Sequence, residues 1–386
     1  MERRDFLRAS VSGLLVGAFA PTVRGASDPA ARDLLVLVEL KGGNDGLNTV
    51  VPYADPLYAK LRPRLALERD TLAQLTPSVA LNPALEKLVP LWAAGELAVV
   101  QGLGYPDPNL SHFRSIEIWD TASRSDEYLE TGWLSRAFTR SPSPPGFAAD
   151  GVVVGAADMG PLAGASRAIA LTDPAQFLRS ARLVRAEGES RNAALAHILR
   201  VEREILKSAE RLTAAHAFRT AFPSGPFGNA IRTAAQLAAN PAGIAAIRVT
   251  LDGFDTHANQ TVRHANLLRS LGEGLAALRS ALVEIGRWES TVVATYSEFG
   301  RRPAANQSGG TDHGTANAHL VLGGRVKGGL HGEPPRLDRL DGNGNLPFAV
   351  DFRSYYATLL ERWWQVDSRS VLGGQYPSLG FLGSPS

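Results

Sequence analysis

The stretch TVVATYSEFGRR (291–302) decides the fold of this chain. Its first six residues are apolar or β-branched, which is typical of a buried strand, and charged residues begin where that strand should end. A further polar group, GTDHG (310–314), follows closely. In an open α/β sheet, loops that leave the strand ends converge to form the ligand site. Because Glu298, Asp312 and His313 carry oxygen and imidazole donors, this stretch predicts a metal-bearing active site.

Two other predicted strands end in the same manner. DLLVLVEL (33–40) leads into a Gly-rich loop that contains Asp45, and IAAIRVTL (244–251) leads into Asp255 and His257. The first loop lacks the G-x-G-x-x-G pattern of dinucleotide-binding proteins. Strands alternate with helical segments, which predicts an α/β fold with a central, mainly parallel sheet and helices on both faces. We therefore expect the three loops to meet at one edge of the sheet.

The N-terminal segment predicts an export signal. RRDFL (3–7) has the twin-arginine pattern, and a weakly apolar, Gly/Ala-rich run (11–20) follows it. We expect residues 1–26 to be a twin-arginine signal peptide, the twin-arginine export machinery to be a partner, and the mature protein to be periplasmic or secreted. The apolar run is too short to cross a bilayer, so no membrane span is expected in the mature protein.

Composition excludes several other classes of function. The chain has 386 residues, no cysteine and a formal net charge of +2. Thiolate metal sites and thiol nucleophiles are therefore excluded, and the small net charge predicts no nucleic-acid partner. No repeat or low-complexity linker divides the sequence. Residues 27–386 are predicted to form a single domain with a helix-rich excursion around 188–240.

A candidate nucleophile lies at the start of a predicted helix. Ser111 follows a turn-rich loop and precedes a helix that is expected to run to Trp119. The N–H groups at a helix N-terminus attract anions, so Ser111 is either a nucleophile beside an anionic substrate or an N-cap. His112 is adjacent, but neighbouring side chains on a helix point apart, so a Ser–His dyad is not expected.

Each polar candidate also has a structural alternative. Asp45 suits a turn, and the Asp–His pairs could stabilise turns through hydrogen bonds. Glu298 could ligate a metal or form an ion pair with Arg301 or Arg302. Those arginines could instead hold an anionic group through bidentate hydrogen bonds. Two more histidines could complete a metal site: His319 and His331.

Several motifs resemble a bacterial family of exported proteins known as domain of unknown function fifteen-oh-one, within or near the alkaline phosphatase and sulfatase superfamily. Besides the twin-arginine leader, the motifs are GGNDGLNTVVP (42–52), SHF (111–113), GFDTH (253–257), SEFGR (297–301) and GTDHG (310–314). The resemblance covers nearly the whole chain. It implies an alkaline-phosphatase-like α/β fold.

The resemblance also implies roles for individual residues. The candidate metal ligands are Asp45, Asp255, His257, Glu298, Asp312 and His313. Asp45, Asp312 and His313 match the ligands of one ion, and Asp255 and His257 are candidates for a second. Ser111 matches the nucleophile, and Arg301 would support the substrate. One or two divalent ions (zinc, manganese, magnesium or calcium) would be the cofactors.

Two features depart from the superfamily pattern. The spacing from Asp255 to His257 is shorter than usual for the second metal. An extra segment (299–309) precedes Asp312, and Glu298 stands where an aspartate is expected. The sulfatase signature that yields formylglycine is missing from the sequence, so a formylglycine sulfatase is not expected.

The sequence therefore predicts an exported metal-dependent hydrolase that acts on a small anionic substrate, a phosphate or sulfate ester. The alternative is a non-catalytic exported binding or assembly protein that has the same fold and a degenerate metal site. A third reading, an exported oxidoreductase, is suggested only by the secretion route. No nucleotide or haem motif in the sequence supports it.

Overall fold

A computed structural model describes residues 33–165, 167–171 and 216–383. The predicted signal peptide (1–26) and the first part of the predicted helical excursion (188–240) lie outside these residues. None of the described helices combines the length and the apolarity needed to span a bilayer.

The described residues contain fourteen strands. They are β1 (Leu34–Lys41), β2 (Val50–Val51), β3 (Ala73–Gln74), β4 (Ala80–Leu81), β5 (Leu97–Gly104), β6 (Ala149–Val154), β7 (Ala168–Leu171), β8 (Ile244–Asp252), β9 (Thr291–Tyr296), β10 (Arg301–Ala305), β11 (Thr311–His313), β12 (Asn317–Leu322), β13 (Gly329–Gly332) and β14 (Val350–Asp351).

Nine α-helices are described. They are α1 (Gly46–Thr49), α2 (Pro56–Leu61), α3 (Val89–Ala93), α4 (His112–Thr121), α5 (Trp133–Arg140), α6 (Gly225–Ala238), α7 (Gln260–Glu284), α8 (Phe352–Thr358) and α9 (Ser368–Leu372). A π-helical turn, Leu359–Trp363, continues α8. Short 3-10 helices occur at Arg69–Thr71, Pro83–Leu88, Gly160–Leu162 and Trp288–Ser290.

Nine strands form one sheet with the order β13-β5-β12-β9-β1-β8-β6-β7, and β14 pairs with β5. β1 lies near the centre and runs parallel to both of its neighbours, β8 and β9. Among the described strands of this sheet, only β12 runs antiparallel to its neighbours. The carboxyl ends of β1, β5, β8 and β9 therefore share one edge with the beginning of β12. This edge receives the loops that carry the predicted site residues.

Helices cover both faces of the sheet because the central strands are buried on both sides. In β1, Val36 and Val38 pack into the core beneath α6 and α7, whereas Leu35 and Leu37 pack into the core beneath α4, α5 and α8. This alternation follows from the two-residue period of a strand. The mainly parallel α/β sheet with helices on both faces is thereby confirmed, with antiparallel β12 as the one departure among the described strands of this sheet.

Candidate metal centre

Three donor side chains converge at the carboxyl edge of the sheet: His112, Asp255 and His313. Nε2 of His112 lies 3.5 Å from Oδ1 of Asp255, and Nε2 of His313 lies 3.3 Å from the same oxygen. His112 is the first residue of α4, Asp255 lies beyond β8, and His313 ends β11. The three donors are far apart in sequence and meet because their elements end at the same edge.

Hydrogen bonds determine which nitrogen of each imidazole faces this cluster. Nδ1 of His112 lies 2.8 Å from Oε1 of Glu298, and Nδ1 of His313 lies 2.8 Å from the carbonyl oxygen of Leu110. Both partners are acceptors, so each Nδ1 carries a proton, and each Nε2 keeps its lone pair when the ring is neutral. An acceptor behind the ring is the usual arrangement for histidine ligands of metal ions.

The buried Nε2 atom of His112 has no hydrogen-bond partner among the described residues. A buried polar atom that stays unpaired costs about 1–3 kcal/mol, so its presence needs a physical explanation. The hydrogen bond that His112 donates to Glu298 raises the pKa of His112, whereas burial lowers the pKa of His313. A cation placed between these rings and Asp255 would use the lone pair of His112.

The donor set fits a divalent transition-metal ion. Two imidazole nitrogens and one carboxylate oxygen are ligands that zinc, manganese and iron accept. Bonds of about 2.0–2.2 Å place the ligand atoms of a tetrahedral ion about 3.3–3.6 Å apart. The separations from His112 and His313 to Asp255 are 3.5 and 3.3 Å. The chain thus supplies a candidate metal site, and the donors alone do not select one metal.

His257 and Asp312 border the cluster on its solvent side. Nε2 of His257 lies 3.0 Å from both Oδ1 of Asp255 and Nε2 of His313, and its Nδ1 lies 3.5 Å from Oδ1 of Asp312. Asn306 donates to Asp312 at 3.1 Å, and this hydrogen bond lowers the pKa of Asp312. Both side chains are about half exposed, so they can add donors from the solvent side.

Glu298 holds His112 from behind and is not one of the clustered donors. Its buried carboxylate accepts a hydrogen bond from the backbone N–H of Gly42 at 2.9 Å and another from the hydroxyl of Ser297 at 3.2 Å. Gly42 has a φ of 114°, and a Cβ at this position would collide with the backbone nitrogen of Asp255. Only glycine therefore allows the turn after β1 to reach Glu298.

Arg301 has a different task from the substrate contact expected for it. Its side chain is fully buried, and Nη2 donates to Oδ1 of Asp255 at 2.7 Å. Burial would raise the pKa of Asp255, but the hydrogen bond and the charge of Arg301 lower it to about 2. Other N–H groups of the guanidinium donate to backbone carbonyl groups of Gly42, Gly43, Phe254 and Thr311. Arg301 thus positions Asp255 from inside the protein and is not presented to a substrate.

Asp45 also lies apart from the clustered donors. It is fully buried, and Oδ2 accepts from Nη1 of Arg62 at 2.6 Å. Oδ1 caps α1 by accepting from the backbone N–H of Leu47 at 3.2 Å, and Gln260 also donates to Oδ2. Burial would raise the pKa of Asp45, but Arg62 lowers it. The metal contact expected for Asp45 is therefore replaced by a buried ion pair and a helix cap.

Ser111 lies at the N-cap position of α4 between two residues of the site. Leu110 accepts from His313, and His112 belongs to the donor cluster. The hydroxyl of Ser111 does not form the helix-capping hydrogen bond, and the side chain is exposed. Within the part of the chain that the structure describes, this hydroxyl is thus available for another partner.

The two other candidate histidines lie away from the cluster. His319 is completely buried on β12, with its ring 5.4 Å from that of Trp119. Nε2 of His331 lies 2.8 Å from the carbonyl oxygen of Lys327.

Sequence reasoning missed His112 because it considered only a pairing with Ser111. Its position at the start of a predicted helix could have indicated this role, because the first side chain of such a helix can lie close to the carboxyl ends of the strands.

A family model matches residues 92–373 of the chain. The chain belongs to the DUF1501 family. The description of DUF1501 is "Protein of unknown function", and the resemblance inferred from the motifs is thereby confirmed. A search of curated proteins found no match for the chain.

The DUF1501 chain is also similar to several solved structures. One is the C-terminal periplasmic domain of EcEptC from Escherichia coli in complex with Zn, with 11% identity, 76% of this chain and 73% of that chain covered, and a TM-score of 0.35. Another is the PsFucS1 sulfatase from Pseudoalteromonas sp., with 9% identity, coverages of 89% and 68%, and a TM-score of 0.35. Likeness at this level carries no argument about chemistry.

Proposed function

We propose that this chain is an exported metal-dependent hydrolase of phosphate or sulfate esters. One observation carries the proposal: the Nε2 atoms of His112 and His313 and the Oδ1 atom of Asp255 converge, and each of the three side chains is oriented by a partner behind it. Ordered donors of this kind favour a functional metal site over a chance cluster of polar surface groups.

The residues of the chain have separate tasks in this proposal. His112, Asp255 and His313 would hold the ion, with His257 as an additional donor on the solvent side. When bound, a divalent ion supplies Lewis-acid stabilisation of the charge that develops on the ester oxygens. Glu298 and Arg301 keep His112 and Asp255 in place, and Ser111 presents its hydroxyl at the rim.

Ser111 would act as the nucleophile. Its Oγ would form a bond to phosphorus or sulfur while the bond to the leaving alcohol breaks. The seryl proton would pass to solvent, and the leaving alkoxide would take up a proton. Water would then cleave the seryl ester and release inorganic phosphate or sulfate. The exposed position of Ser111 and the lack of a capping hydrogen bond support this assignment.

Metal content tests the proposal first. Purified mature protein would be stripped with a chelator, exposed separately to zinc, manganese, magnesium and calcium, desalted and subjected to elemental analysis. We expect about one ion per chain for at least one metal and much less in the Asp255→Asn variant. Equal metal content in the two proteins would refute this site.

Turnover of aryl phosphates and aryl sulfates tests the role of Ser111. With the metal-loaded protein, we expect Ser111→Ala to lose at least 100-fold in kcat, since the covalent route is removed. The control is Ser280→Ala, which changes an exposed hydroxyl that bonds within α7, and it should keep full turnover. Equal turnover by Ser111→Ala and the unmodified protein would exclude Ser111 as the nucleophile.

One observation favours a second candidate function. Asp45, one of the predicted metal ligands, is instead held in a buried ion pair with Arg62, which removes one carboxylate from the donors expected for a second ion. A non-catalytic exported binding or assembly protein with a reduced metal site would have this donor set. Stoichiometric metal without turnover on any ester would support that alternative.

Export through the twin-arginine route is part of the proposal. The RRDFL motif (3–7) and the apolar run that follows it support this assignment. Replacing Arg3 and Arg4 together by lysine should retain the precursor in the cytoplasm. Cell fractionation measures this outcome, and unchanged periplasmic or secreted protein would contradict it.

A further inference from the structure

A cavity of about 500 Å³ lies beside the metal centre. Its wall includes His112, Ile116 and Asp120, which are spaced four residues apart and therefore lie on one face of α4. Three apolar side chains also line it: Phe113, Leu129 and Met159. A molecule whose reacting group lies at His112 would extend along this helix face toward Asp120.

The end of the cavity at Asp120 contains more carboxyl groups than cationic groups. Glu39 and Asp158 both contact the guanidinium of Arg248, at 2.7 and 2.6 Å. Tyr296 receives a hydrogen bond from the same guanidinium and donates to Oδ1 of Asp120 at 3.2 Å. Two carboxyl groups therefore contact one guanidinium directly, and the third, that of Asp120, is linked to it through the hydroxyl of Tyr296.

The other charged side chains of the cavity wall do not offset this excess of carboxyl groups over cationic groups. Glu117 lies 3.0 Å from Nη1 of Arg114, and Glu298 lies 2.8 Å from Nδ1 of His112. Glu130 and Lys41 are exposed to solvent and carry opposite charges.

Asp120 has an unused acceptor that is open to the cavity. The residue is only 8% exposed, and it lines the cavity. Among the described residues, no donor reaches Oδ2 of Asp120, because its one hydrogen bond, from Tyr296, goes to Oδ1. Burial, together with the charges of Glu39 and Asp158, raises the pKa of Asp120 to about 8. At neutral pH a proton thus compensates for the missing positive charge.

We propose that this cavity binds a positively charged alkylammonium group of the substrate, with Asp120, Glu39 and Asp158 as its counter-charges. The apolar side chains would contact the alkyl part, and Phe113, which is 89% exposed, would stand beside the entrance. This inference rests on the proposed function only in calling the occupant part of a substrate. The binding itself needs neither the metal nor Ser111.

The test compares two small molecules of the same length, n-hexylammonium and hexan-1-ol. Their binding to the mature protein, with and without metal, would be measured by titration calorimetry. We expect the amine to bind at least tenfold more tightly than the alcohol in both forms. Equal binding of the two molecules would overturn the proposal, because the cavity would then recognise an apolar or hydroxyl-bearing group.

Two substitutions locate the bound amine. Asp120→Asn keeps an acceptor for the Tyr296 hydroxyl, and Asp158→Asn changes a side chain that is 54% exposed. Each should weaken binding of n-hexylammonium at least fivefold and leave binding of hexan-1-ol unchanged. The control is Asp70→Asn, an exposed acid outside the cavity, which should bind the amine as the unmodified protein does. Unchanged amine binding in both cavity variants would overturn the assignment.

Proton release provides an independent readout. The groups that face Asp120 are Arg248, Glu39, Asp158 and Tyr296. A bound cation favours the ionised form of Asp120, so binding at pH 7 should release a proton, and binding at pH 9.5 should not. Binding enthalpies at pH 7 should therefore differ between buffers of different ionisation enthalpy. Equal enthalpies in these buffers would contradict the role of Asp120.

The two proposals fail in distinguishable ways. If the protein retains none of the metals tested but still binds the amine, the hydrolase is refuted and the ammonium site stands. Retention of metal and ester turnover without amine binding would refute the ammonium site alone.

Discussion

At the scale of single residues, each donor of the metal centre depends on a partner that fixes its orientation. Glu298 is such a partner, because its buried carboxylate accepts from Nδ1 of His112 at 2.8 Å. Glu298→Gln keeps the size of the side chain but removes its charge. We expect metal affinity to fall by about 10- to 100-fold, measured by competition with a chelator of known affinity.

The matched control for this change is Glu86→Gln, which alters an exposed glutamate in the 3-10 helix Pro83–Leu88, outside the donor cluster. It should leave metal affinity unchanged. If Glu298→Gln binds metal as tightly as the control does, then the carboxylate does not orient His112 in the functional site.

Asp45 provides a prediction about stability. Its buried ion pair with Arg62 should matter for folding, because a charge left without its partner in the interior is costly. Arg62→Met should lower the free energy of unfolding by about 3–5 kcal/mol, measured by urea denaturation. Arg64→Met changes a neighbouring exposed arginine and should cost less than about 1 kcal/mol. Similar losses in both variants would show that the Asp45 pair has no special role.

The limits of sequence reasoning are also visible at single residues. Asp255, His257, Asp312 and His313 were all expected near a shared site, because short glycine-flanked motifs follow predicted strands. The side-chain partners could not be predicted. Whether an aspartate faces an ion or an arginine depends on contacts such as Asp45–Arg62, which join residues from different elements.

At the scale of elements, β10 and β11 pair antiparallel as a hairpin, which positions His313 against the loop that carries His257. Gly310 allows the close approach, because a Cβ there would collide with the backbones of Thr256 and His257. Gly310→Ala should therefore displace β11 and lower both metal affinity and the melting temperature. The melting temperature should fall by several degrees, measured by thermal unfolding.

The control for the hairpin is Gly342→Ala. A Cβ at Gly342 meets nothing within 4 Å, and the residue does not have a positive φ. This variant should retain both metal affinity and melting temperature. Comparable losses in the two glycine variants would mean that the close contact at Gly310 does not position His313.

The positions of helices and strands were easier to predict from the sequence than the way in which the strands pair. The strand predicted at 291–296 agrees with β9, because a short β-branched run between polar segments has few alternatives. The helix predicted to follow Ser111 and to run to Trp119 corresponds to α4, His112–Thr121. The antiparallel direction of β12 was not predicted. The direction of a strand depends on the path by which the chain returns to the sheet, and this path cannot be predicted from the composition of the strand.

At the scale of the whole molecule, buried histidines predict how stability changes with pH. Burial lowers the pKa of His319 to about 3 and that of His264 to about 4, whereas an ordinary histidine titrates near 6.5. Below pH 6.5 the unfolded chain binds protons that the folded chain does not bind. Each of these two histidines therefore lowers the free energy of unfolding as the pH decreases, by up to about 1.4 kcal/mol per pH unit.

His319→Gln tests this dependence because it removes one titrating group. Between pH 7.5 and 5, the variant should lose about 2 kcal/mol less unfolding free energy than the unmodified protein, measured by urea denaturation at both values. Asp120, with its raised pKa, changes stability in the opposite direction but contributes equally to both proteins. His216→Gln, at an exposed histidine, should behave as the unmodified protein does. An equal pH dependence in His319→Gln would contradict the role of burial.

The donors of the metal centre come from positions 112, 255 and 313, which are widely separated along the chain. An ion held by all three would tie distant segments together, and its affinity would add directly to the free energy of folding. Under the proposed export route, the chain crosses the membrane already folded. The metal ion that occupies the site would then be determined inside the cell, by the ions available where the chain folds. Metal ions outside the cytoplasm would matter only if they exchanged with the bound ion after export.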